Sequence, residues 1–281
     1  MGAVMDYHRT DALIALDRAR HLLNDGGQQS LIYAALELRF ALEYLTYDRA
    51  FAYLSELPEA VHNVWQPKNL MKVLLEIDPF AGAEMSLSIG IAPSPSQESK
   101  DLELLGTERP LTLAVIKHHY DALGSFLHAP DLRRGRRDIS DFEKLRSRCS
   151  KLIDEIGRVL SADLWNLRLT AGYEFECPRC DTRRWVRLRP NEESQDFRCL
   201  SCNSEFHAQR SDINSLQYQP KGKRFRCTNQ ECGTLVFVWS DELRPDAMVD
   251  CRSCGTTHTI GLSVFGPDAH ADKLSSGSSP G

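Results

Sequence analysis

Eight of the nine cysteines fall after residue 176, and they come in four close pairs. The pairs are Cys177-Pro-Arg-Cys180, Cys199-Leu-Ser-Cys202, Cys227-Thr-Asn-Gln-Glu-Cys232 and Cys251-Arg-Ser-Cys254. Eighteen residues separate Cys180 from Cys199, and eighteen separate Cys232 from Cys251. Aligned on these cysteines, Thr182 matches Thr234, Trp185 matches Phe237, Val186 matches Val238 and Ser201 matches Ser253. The region is therefore an internal duplication, and the cysteine spacing of its two copies differs only in the length of the first knuckle.

Two thiolates two to four residues apart can share one tight turn and offer two corners of a tetrahedron. A second pair supplies the other two corners, a donor set that suits Zn²⁺. The stretches RRWVRLR and LVFVW read as strands that turn back through polar loops. Each copy then reads as a β zinc ribbon, over 174–212 and 222–263, with closed structural sites Cys177/Cys180/Cys199/Cys202 and Cys227/Cys232/Cys251/Cys254. Disulfides would need an oxidising compartment, and the N-terminus MGAVMDYHRTDALIALDRAR lacks the apolar run of a secretory signal. Four cysteines could also hold an iron–sulfur cluster, but the two-pair, eighteen-residue spacing is more typical of zinc. A cross-braced finger would pair Cys177/Cys180 with Cys227/Cys232, whereas the in-register repeat favours separate ribbons.

The first 165 residues read as helices. Leu13, Leu16 and Leu23 repeat at helical spacing before the breaker Asn24-Asp25-Gly26-Gly27. A second helix is predicted over 28–57, ending before Pro58, and a third from Pro67 to Asp78. Met85, Leu87, Ile89 and Ile91 alternate, PSPSQESK reads as a turn or mobile loop, and LELL reads as a return strand, which gives an inserted β-hairpin. The fourth helix, 111–128, has a stripe of Leu113, Ile116, Tyr120, Leu123 and Leu127. In the fifth, Ser140 and Glu143 read as a capping box ahead of the seam Phe142, Leu145, Cys149, Leu152, Ile156 and Val159, which buries Cys149 as a small hydrophobe. The predicted class is mainly α: a four- to five-helix bundle over 1–165 with a small hairpin insertion, two tandem ribbons, and a disordered tail over 266–281.

The net charge of −5 gives no global attraction to nucleic acid, so any such affinity must be local. The first 165 residues hold 19 basic and 24 acidic side chains, and the remainder hold 15 of each. Arg179, Arg183, Arg184, Arg187 and Arg189 surround Trp185, and Lys221, Lys223, Arg224 and Arg226 flank Phe225. Arginines interleaved with aromatics suit phosphate contact and base stacking. By its match to Phe237, Trp185 reads as ribbon core more than as a base platform. The same arginines could instead offset the −2 charge of each Zn(Cys)₄ centre, and contact with a protein partner remains open beside RNA or DNA.

The segment HHYDALGSFLHAPDLRRGRRD, from His118 to Asp138, concentrates histidine and arginine. At about 100° per residue, His118 points to solvent, His119 lies on the flank of the buried stripe, and His128 ends the helix two turns after Asp121. Arg133, Arg134, Arg136 and Arg137 follow; they suit phosphate or simply complement the helix C-terminus.

The helices AALELRFALEYL and YDALGSFLH resemble those of the HEPN superfamily of helical bundles. The resemblance implies a bundle that binds or acts on RNA; ribonuclease members carry Arg, four to six residues, then His near the end of such a helix. His128 stands at the histidine position, and Asp121, Ala122 and Leu123 occupy the window for the arginine. The expectation is a cytoplasmic, non-catalytic adaptor with two Zn²⁺, no membrane span, and a bundle that can support a homodimer. The alternative is a ribonuclease with His128 as acid–base and Asp121 as its partner.

Overall fold

The computed structural model describes residues 5–61, 66–91, 101–129, 135, 137–168, 172–189, 191–212 and 215–261. The predicted loop over 92–100, the tail over 266–281, and Arg133, Arg134 and Arg136 lie outside the described residues. Five helices come first: α1 (Met5–Asp25), α2 (Gln28–Phe51), α3 (Pro67–Ile77), α4 (Leu113–Leu127) and α5 (Ile139–Leu160). Less than half of the described chain is helical, so the molecule is a helical half followed by a β half rather than mainly α. None of these helices is long and apolar enough to cross a membrane.

The chain forms two compact units. The first joins residues 1–176 to 183–192, and its hub is α2, which packs against the other four helices. Leu31, Ala34, Ala35, Leu38, Ala41, Leu42 and Leu45 are all buried, and the alanines let neighbouring backbones approach closely. Helix α1 ends at Gly26, whose φ of +82° favours glycine. Helix α2 stops at Phe51, short of the expected 57, because the residues after it serve tertiary contacts. Tyr53 Oη donates to the Asp78 carboxylate at 2.8 Å, and Glu56 turns inward to meet two arginines.

The inserted hairpin is present: β1 (Met85–Ile89) pairs antiparallel with β2 (Glu103–Glu108). At its base Glu108 enters the interior and accepts from Arg49 Nη1 at 2.8 Å. Helix α4 is capped by Thr112, whose Oγ1 accepts from the Val115 N–H. The cap of α5 lies two residues earlier than the sequence suggested. The Asp138 carboxylate accepts from Asp141 N–H at 2.9 Å, and the Asp141 carboxylate accepts from Asp138 N–H at 3.2 Å. Two carboxylates at this end also complement the helix dipole, which a Ser140 cap would not. The α5 seam from Leu145 to Val159 is buried as its spacing predicted, and burial pushes the Cys149 thiol up to about 12.

A second hairpin, β3 (Tyr173–Glu176) with β4 (Arg183–Val186), belongs to this same unit. An internal charge network fixes the strand that leaves it. Arg187 donates to both Glu56 carboxylate oxygens, at 2.6 and 3.0 Å, and Arg168 also pairs with Glu56. Arg187 further donates to the Ile77 carbonyl, and its Nε lies 3.9 Å from Asp78. Arg184 Nη2 donates to the Glu76 carbonyl at 2.9 Å.

The second unit joins 177–182 to 193–281. It contains a three-stranded sheet, β5 (Ser194–Arg198), β6 (Glu205–Asp212) and β7 (Ser215–Pro220), and two hairpins, β8 (Gly222–Arg226) with β9 (Leu235–Trp239) and β10 (Met248–Asp250) with β11 (Thr257–Thr259). Its packing is aromatic: Phe197 stacks on Phe206 at 5.4 Å, and Trp239 meets Phe206 edge-on at 5.7 Å.

Glu56 is the anion shared by Arg168 and Arg187, so neutralising it leaves the buried Arg187 guanidinium with only the more distant Asp78 carboxylate, 3.9 Å away. Glu56→Gln is expected to cost about 3–5 kcal/mol in urea unfolding of the helical signal. Combining it with Arg187→Met should cost less than the sum of the single changes. Additive effects would show that the pair does not couple.

Candidate metal centres

All four cysteine knuckles share one local design. The residue after the second cysteine is left-handed in each: Asp181 (φ 57°), Asn203 (59°), Gly233 (57°) and Gly255 (74°). Asp, Asn and Gly are the residues that tolerate this region. The reversal lets a backbone N–H return to the carbonyl of the first cysteine. Asp181 N–H donates to Cys177 O at 2.8 Å, Asn203 to Cys199 O at 2.9 Å and Gly255 to Cys251 O at 2.8 Å. In the longer knuckle Gly233 N–H reaches Asn229 O instead, at 3.3 Å. The next residue is always a hydroxyl: Thr182, Ser204, Thr234 or Thr256. Its carbonyl accepts from the first cysteine's N–H at 2.8–3.0 Å. Its Oγ lies 3.2–3.3 Å from the second cysteine's sulfur, placed to donate to a thiolate. This Cys-[Asp/Asn/Gly]-[Thr/Ser] signature is legible in the sequence four times, although cysteine spacing by itself points only to the sulfurs.

The knuckles converge two by two. Cys177, Cys180, Cys199 and Cys202 form one group and Cys227, Cys232, Cys251 and Cys254 the other, with the sulfurs of each group within 4.8 Å of one another. Cys177 and Cys202 sulfurs are 3.7 Å apart, Cys180 and Cys199 3.6 Å, Cys227 and Cys254 3.6 Å, and Cys232 and Cys251 3.7 Å. A tetrahedron with metal–sulfur bonds of about 2.3 Å has edges of about 3.8 Å. Both clusters fit a tetrathiolate metal ion, and the cross-braced grouping is excluded. The Thr256 hydroxyl and N–H bring the Cys254 thiol down to about 6. Burial pushes Cys180 up, but the Thr182 hydroxyl and N–H outweigh it and bring it to about 7. Burial pushes Cys177 and Cys227 up to about 12. In each cluster hydrogen bonding lowers one thiol while burial raises another.

The arginines of the first repeat are engaged elsewhere. Arg184 and Arg187 are only 8% and 5% exposed, turned into the helical unit as described above, so neither offers surface to a phosphate. Arg183 and Arg189 are exposed and pair with Glu176 and Glu192. Arg179 grips Asp241 and Glu242 and lies over the Trp239 ring at 5.3 Å. Trp185 is 45% exposed rather than ribbon core. The repeat alignment with Phe237 holds in register, but Trp185 lies on the face opposite buried Val186, so alternation turns it outward. In the second repeat Lys223, Arg224 and Arg226 are exposed, and among the described residues none of them forms an ion pair.

His118 is exposed, as expected, and His119 is buried. His128 is exposed at the end of α4, where its carbonyl accepts from Arg137 at 2.5 Å. The Asp121 carboxylate pairs with Lys68 at 3.1 Å. A cation that sequence spacing could not reveal comes from α2: the Arg39 guanidinium lies over Tyr120 at 4.1 Å and against Gly124, filling the space a side chain there would need.

Comparison with protein-family models, curated proteins and solved structures finds no match to this chain. The metal clusters therefore stand on their own geometry.

Purified protein is expected to carry about two zinc ions per chain, the complement of two four-sulfur sites. Elemental analysis finding one metal, or iron, would contradict the fit. Cys180→Ser should remove one equivalent and keep the helical signal. Thr256→Val should keep both metals yet weaken the second site by about tenfold or more in chelator competition.

Proposed function

We propose that the chain is a zinc-stabilised, non-catalytic adaptor that contacts nucleic acid through its second ribbon. The observation that carries this reading is the outer face of the β8–β9 hairpin. Arg224 pairs across with Phe237 and lies 5.9 Å from its ring centre, and Arg226 stands opposite exposed Leu235. Trp239 continues the aromatic row, with Phe237 5.0 Å away. Gly222 makes room for it, since a side chain there would meet the Phe237 ring and the Val238 carbonyl. Exposed Lys223 lies on the same strand, but alternation places it on the other face, opposite Val238. Guanidinium groups beside flat rings, with no ion pair to them among the described residues, suit a phosphate backbone with its bases unstacked onto aromatics. Zinc is the metal this reading assigns to both sites: closed tetrathiolate centres hold the hairpins in place and do no chemistry.

The helical unit serves assembly in this reading, including homodimer formation. The HEPN resemblance favours a second reading, a ribonuclease using His128, and Arg39 beside Gly124 is the observation on its side. Against it, Asp121 is held by Lys68 and His128 has no placed catalytic partner among the described residues.

Lys223→Ala/Arg224→Ala/Arg226→Ala is expected to flatten the slope of log affinity against log salt by about 2–3 units for single-stranded RNA or DNA. Arg183→Ala/Arg189→Ala should change it little. An unchanged slope in the triple variant places the contact elsewhere, and no binding at low salt favours a protein partner. Wild type and His128→Ala should be equally silent in a nuclease assay; reproducible cleavage lost in His128→Ala with zinc retained establishes the ribonuclease reading.

A further inference from the structure

We infer that the groove between α4 and α5 is a phosphate-binding site, built from His118 and His119 on α4 and Lys144, Ser147, Arg148 and Lys151 on α5. This is separate from the ribbon surface and independent of it. The groove encloses about 410 Å³ and is lined by these six residues and Glu143. Small-ligand sites span roughly 300–1,000 Å³, so it can take a phosphate with its substituent.

The charge is arranged for an anion. Lys144, Arg148 and Lys151 stand at i, i+4 and i+7, which places them along one face of α5. Glu143 is the single acid in the lining. Among the described residues neither Lys144 nor Lys151 forms an ion pair, and both are exposed. Arg148 Nη1 donates to the His118 carbonyl at 2.6 Å, which pins its guanidinium between the two helices and leaves its remaining N–H groups available.

The floor of the groove supplies the second observation. His119 is only 6% exposed, yet its Nδ1 has no hydrogen-bond partner among the described residues. A buried ring nitrogen without a partner is costly, and such atoms usually find a water, an ion or a ligand. Burial, then the nearby His118, Arg148 and Lys151 charges, lower His119 to about 4, while Glu155 opposes them weakly. The imidazole is therefore neutral near pH 7 and offers one N–H, while the surrounding cations carry the charge. The Ser147 hydroxyl adds a neutral donor. Point charges and neutral donors converging from two helices match a tetrahedral oxyanion, which can accept from several directions at once. The phosphate could belong to a small molecule or to a nucleic-acid backbone; the chemistry recognised is the same.

The test uses the full zinc-loaded chain with isotope-labelled histidine. Inorganic phosphate is titrated at constant ionic strength against chloride, followed by a short single-stranded RNA without terminal phosphates. Saturable shifts of the His118 and His119 resonances with phosphate, absent with chloride, are expected. Lys144→Glu/Lys151→Glu, both at exposed positions, should weaken that binding by about tenfold or more, and Lys72→Glu on α3 should not. If the RNA shifts the same resonances, the source is a nucleic-acid backbone; if phosphate alone does, it is a small phosphate. No saturable shift with either probe, or shifts unchanged in the double variant, overturns the site. Repeating the titration with Lys223, Arg224 and Arg226 changed to alanine separates the two readings, because the groove signals should persist when the ribbon surface is gone.

Discussion

Four sulfurs held 3.6–3.7 Å apart at their closest edges are the constraint on which the β half depends. Thiolates at that separation repel one another, and the hairpins around the second cluster have only three to five residues per strand, too short to hold them without help. A cation at the centre would turn that repulsion into cohesion. The knuckles reduce what the metal must overcome: the left-handed residue closes each turn, the backbone N–H groups satisfy carbonyls, and the hydroxyl lowers the charge density on the second sulfur. The core of the second ribbon is correspondingly small, with Val236 between Cys227 and Cys251 and with Phe225, Cys232 and Val249 against it. That is a core of metal ligands and a few apolar residues, as expected where area burial alone is insufficient.

The helical unit solves its problem differently. Its apolar core is large, and the polar groups it buries are tied to the chain that follows α5. Asn166 donates to the Asp48 carboxylate at 2.9 Å, and Leu167 N–H to Glu108 at 3.3 Å. Arg168 donates to the Ala52 carbonyl at 2.6 Å, and Arg187 to Glu56 and the Ile77 carbonyl. Buried charges of this kind add little net stability over apolar packing, but they tolerate few alternative arrangements. The consequence for function is a division among arginines that look equivalent in the sequence. Arg184 and Arg187 are built into the helical unit, whereas Arg183 and Arg189, like Arg224 and Arg226, are left on the surface.

That division was hidden because a run of arginines carries no information about its partners. Glu56 lies 131 residues before Arg187, in a stretch the sequence assigned to a helix. Local rules predicted the helix to continue to 57, and tertiary pairing overrode them at Phe51. The exposed side of Trp185 was hidden for a related reason. Alignment fixes which residues correspond between repeats, but a strand's two faces are told apart only by what packs on them.

What the sequence determined by itself was what its spacings and periodicities record. Cysteine spacing and its duplication defined both four-sulfur groups, helical periodicity defined the buried seam of α5, and alternation defined the β1–β2 hairpin, because each leaves a regular pattern along the chain. Tertiary structure alone decided which cations face solvent, which carboxylates are shared, that Arg39 lies beside Gly124, and that His118 and His119 meet a row of α5 cations across a groove. Those facts depend on pairs of residues far apart in the chain, and no local pattern records them.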